Sequence, residues 1–199
     1  MGGYTYKTII KTGKGEVLDR GSRFVGYAFE VNSRTLFKER YQAIMDLHPK
    51  ASHYCFAFRV GEEGADWRCS DNGEPAGTAG RPLLGQLESA ELVNAAVIVV
   101  RYFGGTLLGV PGLIQAYRSA ASLAIQQAQI EEKPKLRWIQ LEFDYTIQHE
   151  VYRWIKHYAL PIEKMEEGLF CQLQVGVPLI NWDDVKQHFS VLAGLTMRE

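Results

Sequence analysis

Two carboxylates three positions apart are the first residues of this chain whose types could do chemistry. Asp71 and Glu74 stand in the turn-rich stretch "SDNGEPAGTAGRP", with Thr78 and Arg81 close behind. A carboxylate pair on an irregular loop could bind a hard cation or act as a general base. Asp-Asn-Gly is also ordinary turn chemistry, and the spacing of a calcium-binding EF-hand is absent. Spacing alone therefore favours a structural turn.

A second glycine-rich stretch, "RYFGGTLLGVPGLIQAYRSAA", follows the apolar run "AAVIVV". Arg101 could hold an anionic group together with the backbone amides of Gly104 and Gly105, or with the helix start at Gly112. The stretch has neither the P-loop spacing nor G-x-G-x-x-G. The alternative is a tight corner, where residues without side chains let a helix pack closely on its strand. Spacing alone slightly favours the corner.

The remaining reactive residue types give weaker signals. His53 and Cys55 share one face of a predicted strand, and Cys69 lies on its neighbour, but this spacing matches no recognised zinc site and favours buried cysteines. The chain has no G-x-S-x-G nucleophile motif. Tyr102 and Phe103 lie beside arginines, a combination that suits single-stranded RNA and equally an ordinary core edge.

Composition excludes several classes of protein. The chain has 199 residues, 46% of them hydrophobic, and a net charge of −1, so it lacks the overall basic charge of a non-specific nucleic-acid clamp. Three cysteines without a CxxC pair indicate reduced thiols. The longest apolar run, Ala95 to Val100, is too short to span a bilayer, and no signal peptide is evident. We expect a soluble, cytoplasmic protein with no membrane partner, no metal and no cofactor.

Hydrophobic periodicity predicts an α+β first domain over residues 1–132. "RFVGYAFEV" alternates like a half-buried strand, and a helix capped by Asn32 or Ser33 follows it up to His48-Pro49. "HYCFAFRV" and "WRCS" predict a hairpin, and a helix is expected around Leu83 to Leu92. "NAAVIVVRY" predicts a strand covered on both faces, and an alanine-rich stripe after the glycine-rich bend predicts a long helix.

A second domain is predicted over residues 135–199. The charged stretch "QIEEKPKLR" is the best interdomain boundary. Beyond it we expect a strand over "LRWIQLEFDYTI", a helix near Glu150 to Tyr158, two strands, a helix capped by Asn181 and a final strand from Leu195. The order βαββαβ is the ferredoxin-like plan.

Four blocks of the chain together resemble the signature of the Impact family, in its bacterial branch. They are "SRFVGYAFEV", "HPKASHYCFAFRVG", "SDNGEPAGTAGRPLLGQL" and "VIVVRYFGGTLLGVPGLIQAYRSAA", within roughly the first 130 residues. The resemblance implies a first domain with the fold of ribosomal protein S five, domain two. The last third resembles domain V of elongation factor G.

The resemblance implies a translation-associated binding or regulatory protein that contacts RNA, the ribosome or a translation factor, with no established reaction. The alternative is an enzyme for a small phosphorylated or carboxylated ligand, with Asp71 or Glu74 as base and Arg101 as anion holder. Asn72 stands where the family usually has a second Asp, and Gln115 replaces a frequent basic residue. The candidate ligand- or anion-binding residues are Arg101, Tyr102, Phe103, Gly104, Gly105, Gly109, Gly112, Asp71, Gly73, Glu74, Thr78, Arg81 and His53.

Overall fold

The computed structural model describes residues 3–199; Met1 and Gly2, which begin the predicted first domain, lie outside the described residues. The chain is α+β and folds into two compact units. One unit contains residues 6–133, and the other contains residues 134–199 together with residues 3–5.

The larger unit is built on a five-stranded antiparallel sheet with the strand order β2-β3-β6-β4-β5. Its strands are β2 (Gly13–Asp19), β3 (Ser22–Glu30), β4 (His53–Val60), β5 (Asp66–Ser70) and β6 (Ala95–Tyr102). Its helices are α1 (Arg34–Leu47), α2 (Gly80–Ser89) and α3 (Gly109–Gln126). A separate two-stranded sheet pairs β1 (Thr5–Lys11) with β7 (Gln129–Pro134).

Strand β3 is buried on both faces, which corrects the expectation of a half-buried strand. Val25 and Phe29 pack with Phe37 of α1 on one side of the sheet. Phe24 and Ala28 join the core beneath α2 and α3 on the other side. A strand covered by helices on both faces has no solvent-facing row, so its alternation of side chains does not report exposure.

Helix α3 lies unusually close to β2 and β3 because glycines face it. A Cβ atom built on Gly26 would stand 2.5 Å from the carbonyl oxygen of Ala120, and one on Gly13 would stand 2.0 Å from that of Ala124. Both alanines are fully buried. Small residues on both surfaces therefore let the helix backbone approach the sheet backbone.

The structure also adds to and refines the predicted elements of the larger unit. Strands β1 and β2 have no counterpart among the predicted elements, and the charged stretch predicted as the interdomain boundary contains strand β7. Helix α2 begins at Gly80, three residues before the predicted start. The cap of α1 is Ser33, whose side chain accepts a hydrogen bond from the backbone N–H of Leu36.

The smaller unit has one four-stranded antiparallel sheet with the strand order β11-β8-β10-β9. In chain order its elements are β8 (Leu136–Phe143), α4 (Gln148–His157), β9 (Ile162–Glu167), β10 (Cys171–Pro178), α5 (Trp182–Ser190) and β11 (Leu195–Arg198). Alternate residues of β8 and β10 pack against α4 and α5. Strand β8 ends before residues 145–147, a 3-10 turn that was predicted as strand, and Asn181 contributes no side-chain hydrogen bond to the start of α5.

Candidate functional site

Arg101 and Glu74 form a buried ion pair that joins the two glycine-rich loops. Arg101 lies near the end of β6, and Glu74 reaches it from the loop between β5 and α2. Arg101 Nη1 donates a hydrogen bond of 2.7 Å to Glu74 Oε1, and Tyr117 Oη of helix α3 donates another of 2.7 Å to the same oxygen. The Arg101 and Glu74 side chains are only 6% and 3% exposed. This cluster ties a strand, a loop and a helix together in the interior.

Arg101 has further neighbours, and two of them, Ser22 and Phe24, are not among the residues that the sequence indicates. Its Nη2 donates to Ser22 Oγ at 3.4 Å, and its guanidinium lies 5.4 Å from the ring centroids of both Phe24 and Phe103. Within the described part of the chain, Arg101 Nε is the buried side-chain polar atom left without a partner. Ser22 and Phe24 are brought here only by the pairing of β3 with β6, and their sequence context gives no signal of it.

His53 lies beside this ion pair, and one of its ring nitrogens faces a backbone carbonyl. Its Nδ1 lies 2.8 Å from the carbonyl oxygen of Asn72, which can only accept, so Nδ1 carries a hydrogen. The other ring nitrogen, Nε2, lies 3.9 Å from Glu74 Oε1. The Asn72 side chain accepts from the backbone N–H of Tyr54, so the residue that departs from the family pattern fixes the loop to strand β4.

Asp71 is engaged by the backbone of its own loop. One carboxylate oxygen accepts from the N–H groups of Ala79 and Gly80 at 2.9 and 2.8 Å, and the other accepts from Gly77 at 2.9 Å. Burial alone would raise the pKa of Asp71, but the three backbone hydrogen bonds outweigh it, and the pKa lies below its ordinary value. Asp71 therefore caps the start of α2 as a carboxylate and is poorly suited to act as a base.

Cys55 and Tyr117 are protonated neighbours of the carboxylates. Burial raises the pKa of Cys55 to about 12, and its thiol donates to the backbone carbonyl of Asp71 at 2.9 Å. Burial, followed by the effect of Cys55, also raises the pKa of Tyr117. Because the reactive form of cysteine is the thiolate, Cys55 is not a nucleophile in this environment.

The second glycine-rich loop contains a tight corner at Gly104. A Cβ atom there would stand 1.9 Å from the backbone carbon of Gly21, and the Gly104 N–H donates to Ser22 Oγ at 3.2 Å. Gly105 differs, since its φ of 84° lies in the left-handed region while open space surrounds it. The loop is thus anchored at Gly104 and exposed at Gly105.

The other candidate residues of the two loops contact different parts of the larger unit. Gly109, with φ of 72°, is the first residue of α3, and Gly112 lies against the guanidinium of Arg20. Gly73 lies against the His53 ring with φ of 86°, and the Thr78 hydroxyl donates to the carbonyl of Pro75.

The side chains of Tyr102, Phe103 and Arg81 form no hydrogen bond with the buried cluster of Arg101, Glu74 and Tyr117. Tyr102 points to the α1 face of the sheet, where its hydroxyl contacts His48 Nδ1 at 2.8 Å. Phe103 is about half exposed. Arg81 is exposed on α2, with its guanidinium 5.2 Å from the ring centroid of Trp67.

An open groove of about 550 Å³ lies beside the first loop, between α2 and α3. The residues that line it are Gly77, Arg81, Pro82, Gly85, Gln86, Ile114 and Arg118. Among residues 3–199, no group of three or more His, Cys, Asp or Glu side chains is arranged to hold a metal ion. No helix in the same range is long and apolar enough to cross a membrane.

Comparisons with known proteins identify relatives over most of the chain. The Impact N-terminal domain model matches residues 20–125. The IMPACT family member YvyE of Bacillus subtilis (strain 168) is 34% identical over 143 residues, a stretch that spans 72% of this chain and 66% of that protein, just under two thirds of its length.

Solved structures give one extensive match and one weak match. A crystal structure of a hypothetical protein superposes with a TM-score of 0.78 at 26% identity, covering 98% of this chain and 97% of that one. The two-domain translational regulator Yih1 superposes with a TM-score of only 0.36 at 25% identity, covering 60% of this chain and 48% of Yih1, which is too poor a superposition to support a statement about this chain. The domain match and the Bacillus relative agree with the four sequence blocks, and the chain belongs to the IMPACT family.

Proposed function

We propose that this chain is a translation-associated binding protein that contacts RNA, the ribosome or a translation factor, and that it is not an enzyme. The observation that carries the proposal is the buried Arg101–Glu74 pair, which holds two glycine-rich loops together as one surface. Residues of both loops, including Gly77, Gly105 and Leu107, are exposed. Exposed loops on a rigid scaffold are common sites of recognition.

The same hydrogen bonds weigh against the enzyme alternative. A base at Asp71 would have to give up three backbone N–H donors, and a base at Glu74 would have to leave Arg101 and Tyr117. Arg101 Nη1 is already paired with Glu74, and the Nε donor that has no partner is buried. Each residue of the proposed cleft is therefore occupied by an internal partner, which favours a structural role for these charges.

The two folds that we propose support a role in translation. The smaller unit has the element order βαββαβ and the strand order β11-β8-β10-β9, which supports a ferredoxin-like domain similar to domain V of elongation factor G. For the larger unit we propose the fold of ribosomal protein S five, domain two. Since a fold does not determine a function, the proposal depends on a binding experiment.

Sedimentation of the tagged chain with ribosomes and free RNA tests the proposal. We expect the chain in ribosomal or RNA-containing fractions at low salt and its release as salt rises, because phosphate contacts exchange with counterions. If the chain stays at the top of the gradient at low salt, shifts no RNA and captures no translation factor, the proposal is wrong.

A further inference from the structure

Gly85 has no structural reason to be a glycine. It lies inside α2, where glycine destabilises a helix relative to alanine. Its φ is not in the left-handed region, and no heavy atom lies within 4 Å of the place where a Cβ would stand. Gly26 and Gly104, in contrast, are pressed against backbone atoms. Gly85 lines the open groove between α2 and α3, so its missing side chain leaves the helix backbone accessible there.

Two arginines face the same groove from different helices. Arg81 comes from α2 and Arg118 from α3. Within the described residues, the Arg118 side chain has no ion pair or hydrogen bond, and no acidic side chain lines the groove. The two carboxylates of the first loop are engaged elsewhere, Asp71 by three backbone N–H groups and Glu74 by Arg101. The groove therefore carries positive charge that no side chain lining it neutralises.

We propose that this groove binds the sugar-phosphate backbone of single-stranded RNA, an inference that rests on the proposed function and names the contact surface. Arg81 and Arg118 pair with phosphates, whose oxygens match the fork of N–H donors on a guanidinium. Gly85 allows the RNA backbone to approach helix α2 directly.

An aromatic surface beside the arginine favours RNA over an acidic peptide. The Trp67 ring is 45% exposed, and the Arg81 guanidinium lies over it at 5.2 Å. Proteins that bind single strands combine basic side chains with exposed aromatic rings on which bases stack. An acidic peptide needs the charges but makes no particular use of the ring.

Fluorescence anisotropy of a labelled oligouridine over a range of KCl concentrations tests the inference on the full chain. We expect Arg81→Gln and Arg118→Gln each to weaken oligouridine binding about tenfold at low salt. Each should also reduce the magnitude of the slope of the logarithm of the association constant against the logarithm of the KCl concentration by about 0.7. The control is Arg40→Gln, which removes the same charge from an exposed position on α1. This control should bind like the wild type.

Gly85→Ala separates binding from stability. The substitution should raise the melting temperature, because alanine favours the helix, and should weaken oligouridine binding by at least fivefold, because the new methyl group fills the approach to the backbone. A variant that is more stable but binds less cannot be explained by misfolding.

The outcomes distinguish this inference from the proposed function. If the wild type binds oligouridine and the two arginine variants bind as Arg40→Gln does, the groove is not the contact and the inference is overturned. If the chain associates with ribosomes but not with oligouridine, or binds an acidic peptide in this groove instead, the RNA assignment is overturned and the proposed function stands. If it binds neither ribosomes nor any RNA or translation factor, the proposed function itself fails.

Discussion

Arg101 Nη1 donates a 2.7 Å hydrogen bond to Glu74 Oε1 across 27 positions of sequence, and both side chains are buried. A buried ion pair costs free energy of desolvation, and removing one partner leaves an uncompensated charge in the interior. Comparing a single replacement with a double replacement therefore tests how the pair contributes to stability.

Arg101→Met should lower the free energy of unfolding by about 3–5 kcal/mol, because it leaves Glu74 buried without its guanidinium partner. The double variant Arg101→Met/Glu74→Leu should recover part of that loss, since apolar side chains replace both charges while the Tyr117 hydroxyl is left without its acceptor. Urea denaturation measures both values. Arg23→Met, which breaks the exposed pair with Glu16, is the control and should remain close to the wild type. A single Arg101 variant as stable as this control would contradict a structural role for the pair.

Asp71→Ala should destabilise the chain by about 2 kcal/mol, because three backbone N–H groups at the start of α2 lose their acceptor. The pKa of Asp71 is lowered in the folded state, so its stabilising effect is present above the unfolded value, near 3.8, and is lost as pH falls through the folded pKa. In acid, the free energy of unfolding of the variant should therefore fall less steeply with decreasing pH than that of the wild type. Identical pH profiles would show that Asp71 has no such linkage.

Neighbouring glycines in the second loop should respond differently to alanine. At Gly104 a Cβ would overlap the backbone of Gly21, so Gly104→Ala should prevent native folding or displace the whole corner. At Gly105 space is open and only the left-handed φ is unfavourable, so Gly105→Ala should cost about 1–2 kcal/mol. Thermal unfolding of the two variants compares these costs directly. Equal effects of the two variants would contradict the backbone overlap expected at Gly104.

His48 should make stability depend on pH near neutrality. It lies between the hydroxyls of Tyr27 and Tyr102, at 2.7 and 2.8 Å, and burial, followed by Lys14 and Arg23, lowers its pKa below the ordinary 6.5. The neutral ring is thus favoured in the fold, and its stabilising effect is complete above pH 6.5 and is lost as pH falls through the folded pKa. The free energy of unfolding should fall as the pH decreases below about 7, and His48→Gln should flatten that dependence. A wild-type profile that is already flat in this range would exclude the effect.

The sequence predicts the order of the main elements but not the contacts that long-range pairing creates. The predicted strands and helices from Ser22 onward are found with shifted ends, and the four blocks correctly indicate the family. Asp71 and Glu74 look equivalent in the sequence because both are carboxylates in one loop. Only the folded loop distinguishes them, since Asp71 meets backbone amides while Glu74 meets Arg101.

Other features cannot be predicted from the sequence because the residues around them carry only a weak local pattern. Strand β7 runs through charged residues that are largely exposed, so neither burial nor alternation marks it. Ser22 joins Arg101 through the register of β3 and β6, which no spacing within either segment encodes. The glycines at Gly13 and Gly26 become interpretable only once α3 lies against them.

The central claim is that the Arg101–Glu74 pair holds the two loops as one binding surface. Ribosome sedimentation of the wild type beside Arg101→Met/Glu74→Leu tests it most directly, provided that urea denaturation shows the double variant to be folded. We expect the wild type to sediment with ribosomes or RNA at low salt and the double variant to stay at the top of the gradient. Equal sedimentation of the two folded proteins would contradict the account.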